Sequence, residues 1–262
     1  MNGMVGWRKP QRWGRLHCSL MAGLLRAGAL VVALARARAG ALVALVLGLV
    51  LGLVLGLVVG WGSAPALAAS AVAAPPAQKT LLVLGDSLSA EYGLVRGSGW
   101  VALLGKRLAQ DQLATTVVNA SIGGDTTSGG RSRLPALLKT HHPSHVVIEL
   151  GGNDALRGLP LPMTRDNLVV MTRAAKAEGA KVLILGMQLP PNYGVHYGQD
   201  FAAMFATVAK AEGAALVPFL LAGVADSPQA DSLFQPDRIH PTAAAHPRLL
   251  ANVWAVMKPW LR

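Results

Sequence analysis

From residue 79 onward, apolar runs of strand length alternate with segments of helix length. The runs lie at 81–84, 116–118, 145–150, 182–185 and 214–217, and the segments between them at 100–110, 132–140, 164–178 and 201–212. A last helix is predicted from about 247 to 257, because Pro247 suits a first helical turn. Lys176-Ala177-Glu178-Gly179 and Lys210-Ala211-Glu212-Gly213 each close a helix on a glycine and lead into a strand. Strands that are apolar nearly throughout have both faces covered. The pattern therefore predicts an α/β domain on a five-stranded parallel sheet with helices on both faces.

Before residue 79 the pattern changes. Residues 41–60 form an uncharged run of Leu, Val, Ala and Gly, long enough to span a bilayer as a helix. Residues 1–74 hold seven basic side chains (Arg8, Lys9, Arg12, Arg15, Arg26, Arg36, Arg38) and no acid. Of 24 basic and 13 acidic residues, 17 basic and all 13 acidic thus fall in 75–262, a net +4 within the total of +11. A basic flank before an apolar run reads as a positive-inside signal. It does not read as a nucleic-acid surface, which would need a basic patch on the folded domain. Ala66-Leu67-Ala68 supplies an A-x-A cleavage signal, so the run is predicted to be the core of a secretory signal, with an uncleaved membrane anchor as the rival. Met4 and Met21 are alternative starts. The expected organisation is 1–68 signal or anchor, 69–78 an Ala/Pro-rich linker and 79–262 the folded domain. That domain would be exported, periplasmic or secreted, or held at the inner membrane by residues 41–60. The one cysteine, Cys18, precedes the apolar run, so the domain has neither a disulfide framework nor a thiol nucleophile.

Four short motifs sit where strands should end: Gly85-Asp86-Ser87-Leu88, Gly123-Gly124-Asp125, Gly151-Gly152-Asn153-Asp154 and Asp237-Arg238-Ile239-His240. In a parallel sheet, ligands bind outside the carboxyl ends of the strands, so all four motifs should meet on one edge. A serine at a strand-to-helix turn exposes its hydroxyl near helix N-terminal amides, although an isolated Asp-Ser is more often a helix cap. Asp237 and His240 are three residues apart, so one turn of chain can put a carboxylate on the imidazole Nδ1–H and leave Nε2 for Ser87. Alone, they are equally an ordinary pair in a loop bounded by Pro236 and Pro241. Gly124 allows close backbone approach and Asn153 a side-chain amide, both suited to an oxyanion; each is also plain turn chemistry.

Other candidates are weaker. His141, His142 and His145 stand around Pro143 without a partner Cys or carboxylate cluster, so a solvated loop is expected there rather than a metal site. Glu149 is expected to be an internally bonded strand residue, and His246, at a helix start, local structure. No P-loop or dinucleotide fingerprint is present, and the absence of G-x-S-x-G argues against the α/β-hydrolase fold.

The four motifs in this order resemble the blocks of the GDSL or SGNH hydrolases, from about Thr80 to Trp260. The stretches Leu134-Pro135-Ala136-Leu137-Leu138-Lys139 and Leu189-Pro190-Pro191-Asn192-Tyr193-Gly194 are similar to a periplasmic subgroup of multifunctional acyl-CoA thioesterases, lysophospholipases and arylesterases. The resemblance implies a three-layer α/β/α sandwich of flavodoxin type. It implies Ser87 as nucleophile, His240 as base and Asp237 as its orienting partner. The oxyanion hole would be the Ser87 N–H, the Gly124 N–H and the Asn153 side chain. No metal or cofactor is implied, and the partners are expected to be small-molecule fatty acyl esters or thioesters, met by a monomer. Leu156, Leu189, Pro190 and Tyr193 are the expected acyl contacts, with Leu159 and Leu161 beside them. Two positions depart from the subgroup: Glu91 stands where a glycine is usual, and Gly123 where a serine is. A carbohydrate deacetylase and a membrane-anchored binding module without turnover are the competing readings.

Overall fold

The computed structural model describes residues 78–261. The predicted signal or anchor, Cys18 and the linker up to residue 77 lie outside the described residues. Among the described residues no helix is long and apolar enough to cross a membrane.

The sheet has five parallel strands: β1 (Lys79–Gly85), β2 (Thr115–Asn119), β3 (His145–Glu149), β4 (Lys181–Leu185) and β5 (Ala215–Val217), in the order β2-β1-β3-β4-β5. The order follows from burial. Leu81 to Leu84 in β1 and every residue of β3 are buried, so these strands take the middle. β2 is only half-buried and lies at an edge. Each Leu or Ile removed from water in this way contributes about 1.5–3 kcal/mol.

Five longer helices cover the sheet: α1 (Trp100–Gln110), α2 (Thr127–His141), α4 (Leu161–Ala177), α5 (Val195–Glu212) and α7 (His246–Trp260). Short helices α3 (Gly152–Leu156) and α6 (Ala230–Leu233) lie in the connections. α2, α4 and α5 pack side by side, and α1 packs on α7, which makes three layers.

Four helix starts fall earlier than the sequence pattern predicts. α2 begins at Thr127, because the Thr126 hydroxyl accepts the Gly129 N–H and caps the helix before the glycine pair. Within that first turn a Cβ at Gly130 would meet the buried Leu150 Cδ1 at 2.3 Å, so the glycine suits the packing there. α4 begins at Leu161 with Pro162 in its first turn; α5 begins at Val195 after Gly194, whose φ is 92°; α7 begins one residue early, at His246. The strand-to-helix turn expected at Ser87 is also different. After β1 the chain runs through successive turns, closed by Ala90 N–H to Asp86 O at 3.0 Å and Leu94 N–H to Glu91 O at 3.0 Å, and α1 starts only at Trp100.

The intervening loop is held by Glu91. It stands at φ 60°, the left-handed region that explains the usual glycine there. Its carboxylate accepts the Gly97 N–H at 2.9 Å and the Gly99 N–H at 2.7 Å. Left-handed backbone at a non-glycine costs about 1 kcal/mol or more, whereas hydrogen bonds to a charged group contribute about 1.5–3 kcal/mol each. The bonds win. Glu91→Gly is therefore expected to destabilise the domain by about 1–3 kcal/mol, read as a lower urea midpoint with an unchanged m-value.

Candidate active site

β1 ends at the point where the chain order of the sheet reverses, since β2 lies on one side of it and β3 on the other. This is the crevice in which open parallel sheets bind ligands. Ser87, two residues past the carboxyl end of β1, is half-buried, and its Oγ lies 2.8 Å from His240 Nε2. His240 Nδ1 lies 2.7 Å from Asp237 Oδ2.

The three-residue spacing works through an Asx-type turn. Asp237 Oδ1 accepts the backbone N–H groups of Ile239 (2.9 Å) and His240 (3.0 Å), leaving Oδ2 for the imidazole. The loop is closed behind them by an antiparallel bridge between Phe234 and Pro241 and by Gln235 N–H to His240 O at 2.7 Å. Arg238, at the apex, is left-handed with φ 57°. The His240 backbone N–H, its imidazole and the Ile239 N–H together hold the Asp237 carboxyl down at about 2. Asp237 is thus anionic at any pH near neutrality and favours an Nδ1–H tautomer on His240.

The oxyanion candidates lie on the same edge. Gly124 has φ 76°, which a side chain would strain, while a Cβ at Gly123 would meet nothing within 4 Å. The serine usual at position 123 would therefore fit; Gly124 is the conformationally required glycine. Arg157 Nη2 donates to Gly124 O at 2.7 Å and fixes that peptide. Neither the Ser87 N–H nor the Gly124 N–H donates to another group among the described residues. Asn153 Nδ2 donates one hydrogen to Asp86 Oδ2 at 2.9 Å, and an amide has two, so the second is free for a ligand.

The supports of this edge are residues to which sequence reasoning assigns no role there. Asp86 is buried; its Oδ1 accepts the Leu88 N–H at 3.0 Å and its Oδ2 orients Asn153. Glu149, also buried, accepts the Asp86 N–H (3.2 Å) and the Ser89 hydroxyl (2.7 Å) through Oε2, in keeping with the internal role expected of it. Asp154 is buried and receives the Thr127 N–H at 2.8 Å and the Thr127 hydroxyl, tying the Asn153 turn to the start of α2. Arg133 bonds Asp125 (2.8 Å), Ala120 O and Gly85 O, joining the ends of β1 and β2. The Tyr92 ring lies 4.2 Å from the His240 ring, centroid to centroid. Asp86 and Asp154 were visible as motif letters; the contacts of Arg133 and Tyr92 had no signal in the sequence.

Burial pushes the Asp86 and Glu149 carboxyls up; Glu149 also faces the Asp86 charge and is raised further. Glu149 therefore holds its proton to higher pH than a free carboxyl does. A folded value above the unfolded one means that this group's stabilisation is complete below the unfolded value, about 4.3, and is lost as pH rises through the folded value. Glu149→Gln keeps the acceptor oxygen and has no proton to lose. Its Tm is expected to fall less than the parent's as pH rises from the ordinary carboxylate range. Thermal melts across pH check this.

The other predicted residues divide. Leu161, at the start of α4, and Leu189, in the loop after β4, are partly buried against the core, while Pro190 and Tyr193 are exposed and Leu156 is half-buried. Tyr197 donates to Leu159 O at 3.4 Å. His246 Nδ1 accepts the Trp100 N–H at 2.9 Å, a local structural role. The solvated histidine loop is corrected for one member: His145 opens β3, is buried and packs edge-on against Trp260 at 4.7 Å. Burial pushes its imidazole down to about 4, helped by Lys181 and Lys79. No group of three or more His, Cys, Asp or Glu suited to a metal is found among the described residues.

A serine hydroxyl on an imidazole, a carboxylate behind it and unpartnered N–H groups beside it, on a 2-1-3-4-5 parallel sheet, define a serine acyl hydrolase with the flavodoxin-like strand order. The chain belongs to the GDSL-like Lipase/Acylhydrolase family, whose pattern matches residues 83–248. It is similar to esterase TesA of Pseudomonas aeruginosa, 55% identical over 185 residues that make up 71% of this chain and 90% of that one. It is also similar to the thioesterase 1/protease 1/lysophospholipase L1 of Escherichia coli K12, 44% identical over 171 residues, 65% of this chain and 79% of the relative. Among solved structures, the psychrotrophic esterase EstA from Pseudoalteromonas sp., inhibited by monoethylphosphonate, superimposes with a TM-score of 0.66 at 37% identity, covering 70% of this chain and 99% of that one.

Proposed function

We propose that this chain hydrolyses fatty acyl esters and thioesters through an acyl-enzyme on Ser87. His240 Nε2 takes the hydroxyl proton as Ser87 Oγ attacks the acyl carbonyl carbon. Asp237 holds the imidazolium that forms. The carbonyl oxygen, now an oxyanion, is met by the Ser87 N–H, the Gly124 N–H and the second hydrogen of Asn153 Nδ2. Collapse expels the alcohol or thiol, which leaves with the proton from His240. Water, deprotonated by His240, then attacks the acyl-serine and releases the acid, returning the proton to Ser87. The observation that carries this reading is the unbroken chain Ser87 Oγ–His240–Asp237 at 2.8 and 2.7 Å.

The acyl class is supported by the names of the relatives, an esterase and a thioesterase that is also a lysophospholipase. We assign the domain at 79–262 to the exported side of a membrane, on the basic flank, apolar run and A-x-A signal before it. Parallel assays on acyl-CoA, lysophospholipid and para-nitrophenyl esters of two to twelve carbons test the substrate class. Hydrolysis that rises with acyl length supports it; turnover confined to acetyl esters would favour a deacetylase instead.

A further inference from the structure

Among the described residues eight large apolar side chains are exposed, and six of them gather on one edge of the domain. Tyr92 and Val95 follow β1, Ile122 follows β2, Tyr193 and Val195 follow β4, and Ile239 sits in the Asp237–His240 loop. The loops after β1 and β2 and the Asp237–His240 loop are bonded around the site: Gln235 Nε2 donates to Tyr92 O at 2.9 Å, the Tyr92 ring lies on His240, and Ile122 N–H donates to Gly85 O at 3.0 Å. An acyl groove does not account for them all. Val95 is 83% exposed and Val195 65%, the two most exposed of the six. Apolar side chains concentrated at the mouth of a site, rather than scattered, mark an interaction surface.

The charged side chains on the same loops that have no partner among the described residues are basic. Every carboxylate is engaged internally: Asp86 is buried, Glu91 holds Gly97 and Gly99, Asp125 pairs with Arg133, and Asp237 holds His240. Arg96 and Arg238, next in sequence to Val95 and Ile239, are exposed and make no side-chain hydrogen bond or ion pair among the described residues. An apolar rim with unpaired guanidiniums fits the boundary of an anionic bilayer, where apolar side chains enter the acyl region and basic ones meet phosphates.

We propose that this rim docks the domain on an anionic lipid surface, with the mouth of the site facing the bilayer. The use of such docking rests on the acyl-hydrolase reading: an acyl ester can pass from the bilayer into the site without crossing water. The contact itself does not depend on turnover.

The experiment is co-sedimentation of residues 73–262 with large vesicles of non-hydrolysable diether phosphatidylglycerol or diether phosphatidylcholine. This span omits the apolar run, and its fold matches a complete solved esterase chain, covered over 99% of its length. Binding is expected to be at least tenfold tighter to the anionic vesicles and to weaken with salt. The double variant Val95→Asp/Arg96→Glu, and separately Val195→Asp, should weaken it, the double variant by tenfold or more. A single basic side chain near an anionic surface is worth about fivefold. Hydrolysis of soluble para-nitrophenyl butyrate should stay within twofold of the parent, which also shows that the variants fold. No sedimentation, equal binding to both lipids, or variants that bind like the parent would overturn the proposal. Ser87→Ala should bind vesicles unchanged, so a failure of the hydrolytic reading would show only in the ester assay.

Discussion

Replacing Ser87 by Ala is expected to lower kcat against a para-nitrophenyl acyl ester by about 10⁴–10⁶-fold, the range in which a nucleophile of a serine–histidine unit falls. The alanine removes only the Oγ that lies 2.8 Å from His240 Nε2. Fold and Tm should barely change, because Ser87 is half-buried and its backbone keeps its place in the turn after β1. A residual rate above the uncatalysed reaction is expected, since the Ser87 and Gly124 N–H groups and Asn153 remain to bind an oxyanion. Steady-state kinetics on the purified variant check this; hydrolysis at the parent rate would remove Ser87 from the mechanism.

His240→Ala is expected to cost a similar factor, about 10⁴-fold or more in kcat, because the base and the nucleophile act as one unit. The double variant Ser87→Ala/His240→Ala should then be no slower than the slower single variant. Multiplying losses would mean that the two side chains act independently, contrary to their hydrogen bond. The pH profile carries a second readout. Asp237 is held at about 2, chiefly by the His240 backbone N–H, so it stays charged throughout the acid limb of kcat/KM. Protonation of Asp237 therefore does not set that limb.

Much of this was legible in the chain, for physical reasons that can be named. β1 and β3 are buried on both faces, so their middles, Leu81–Leu84 and Val146–Ile148, are apolar without interruption and stand out as short runs. The alternation with helices then puts Ser87, Gly124, Asn153 and His240 at the same sheet edge, because parallel strands all end there. What was not legible depends on contacts between distant residues. The start of α2 at Thr127 rather than near 132 was not legible, because nothing local announces that Leu150 lies where a side chain at Gly130 would go. Glu91 looked like a departure from a glycine position, while its compensation lies six and eight residues on, at Gly97 and Gly99. Asp86 and Glu149 are 63 residues apart and meet only because β1 pairs with β3 in register, Gly85 beside Glu149. The seating of Asn153 on Asp86 follows from the same pairing.

The most direct test of the mechanism is covalent. The parent protein and Ser87→Ala are incubated with a fluorophosphonate ester, whose tetrahedral phosphorus is attacked as an acyl carbonyl is, and their intact masses and peptides are measured. The mechanism predicts one adduct per chain on the parent, mapped to Ser87, with esterase activity lost in the same proportion. No adduct should form on Ser87→Ala. Inactivation with the adduct on any other residue, or labelling of Ser87 that leaves hydrolysis intact, would contradict it.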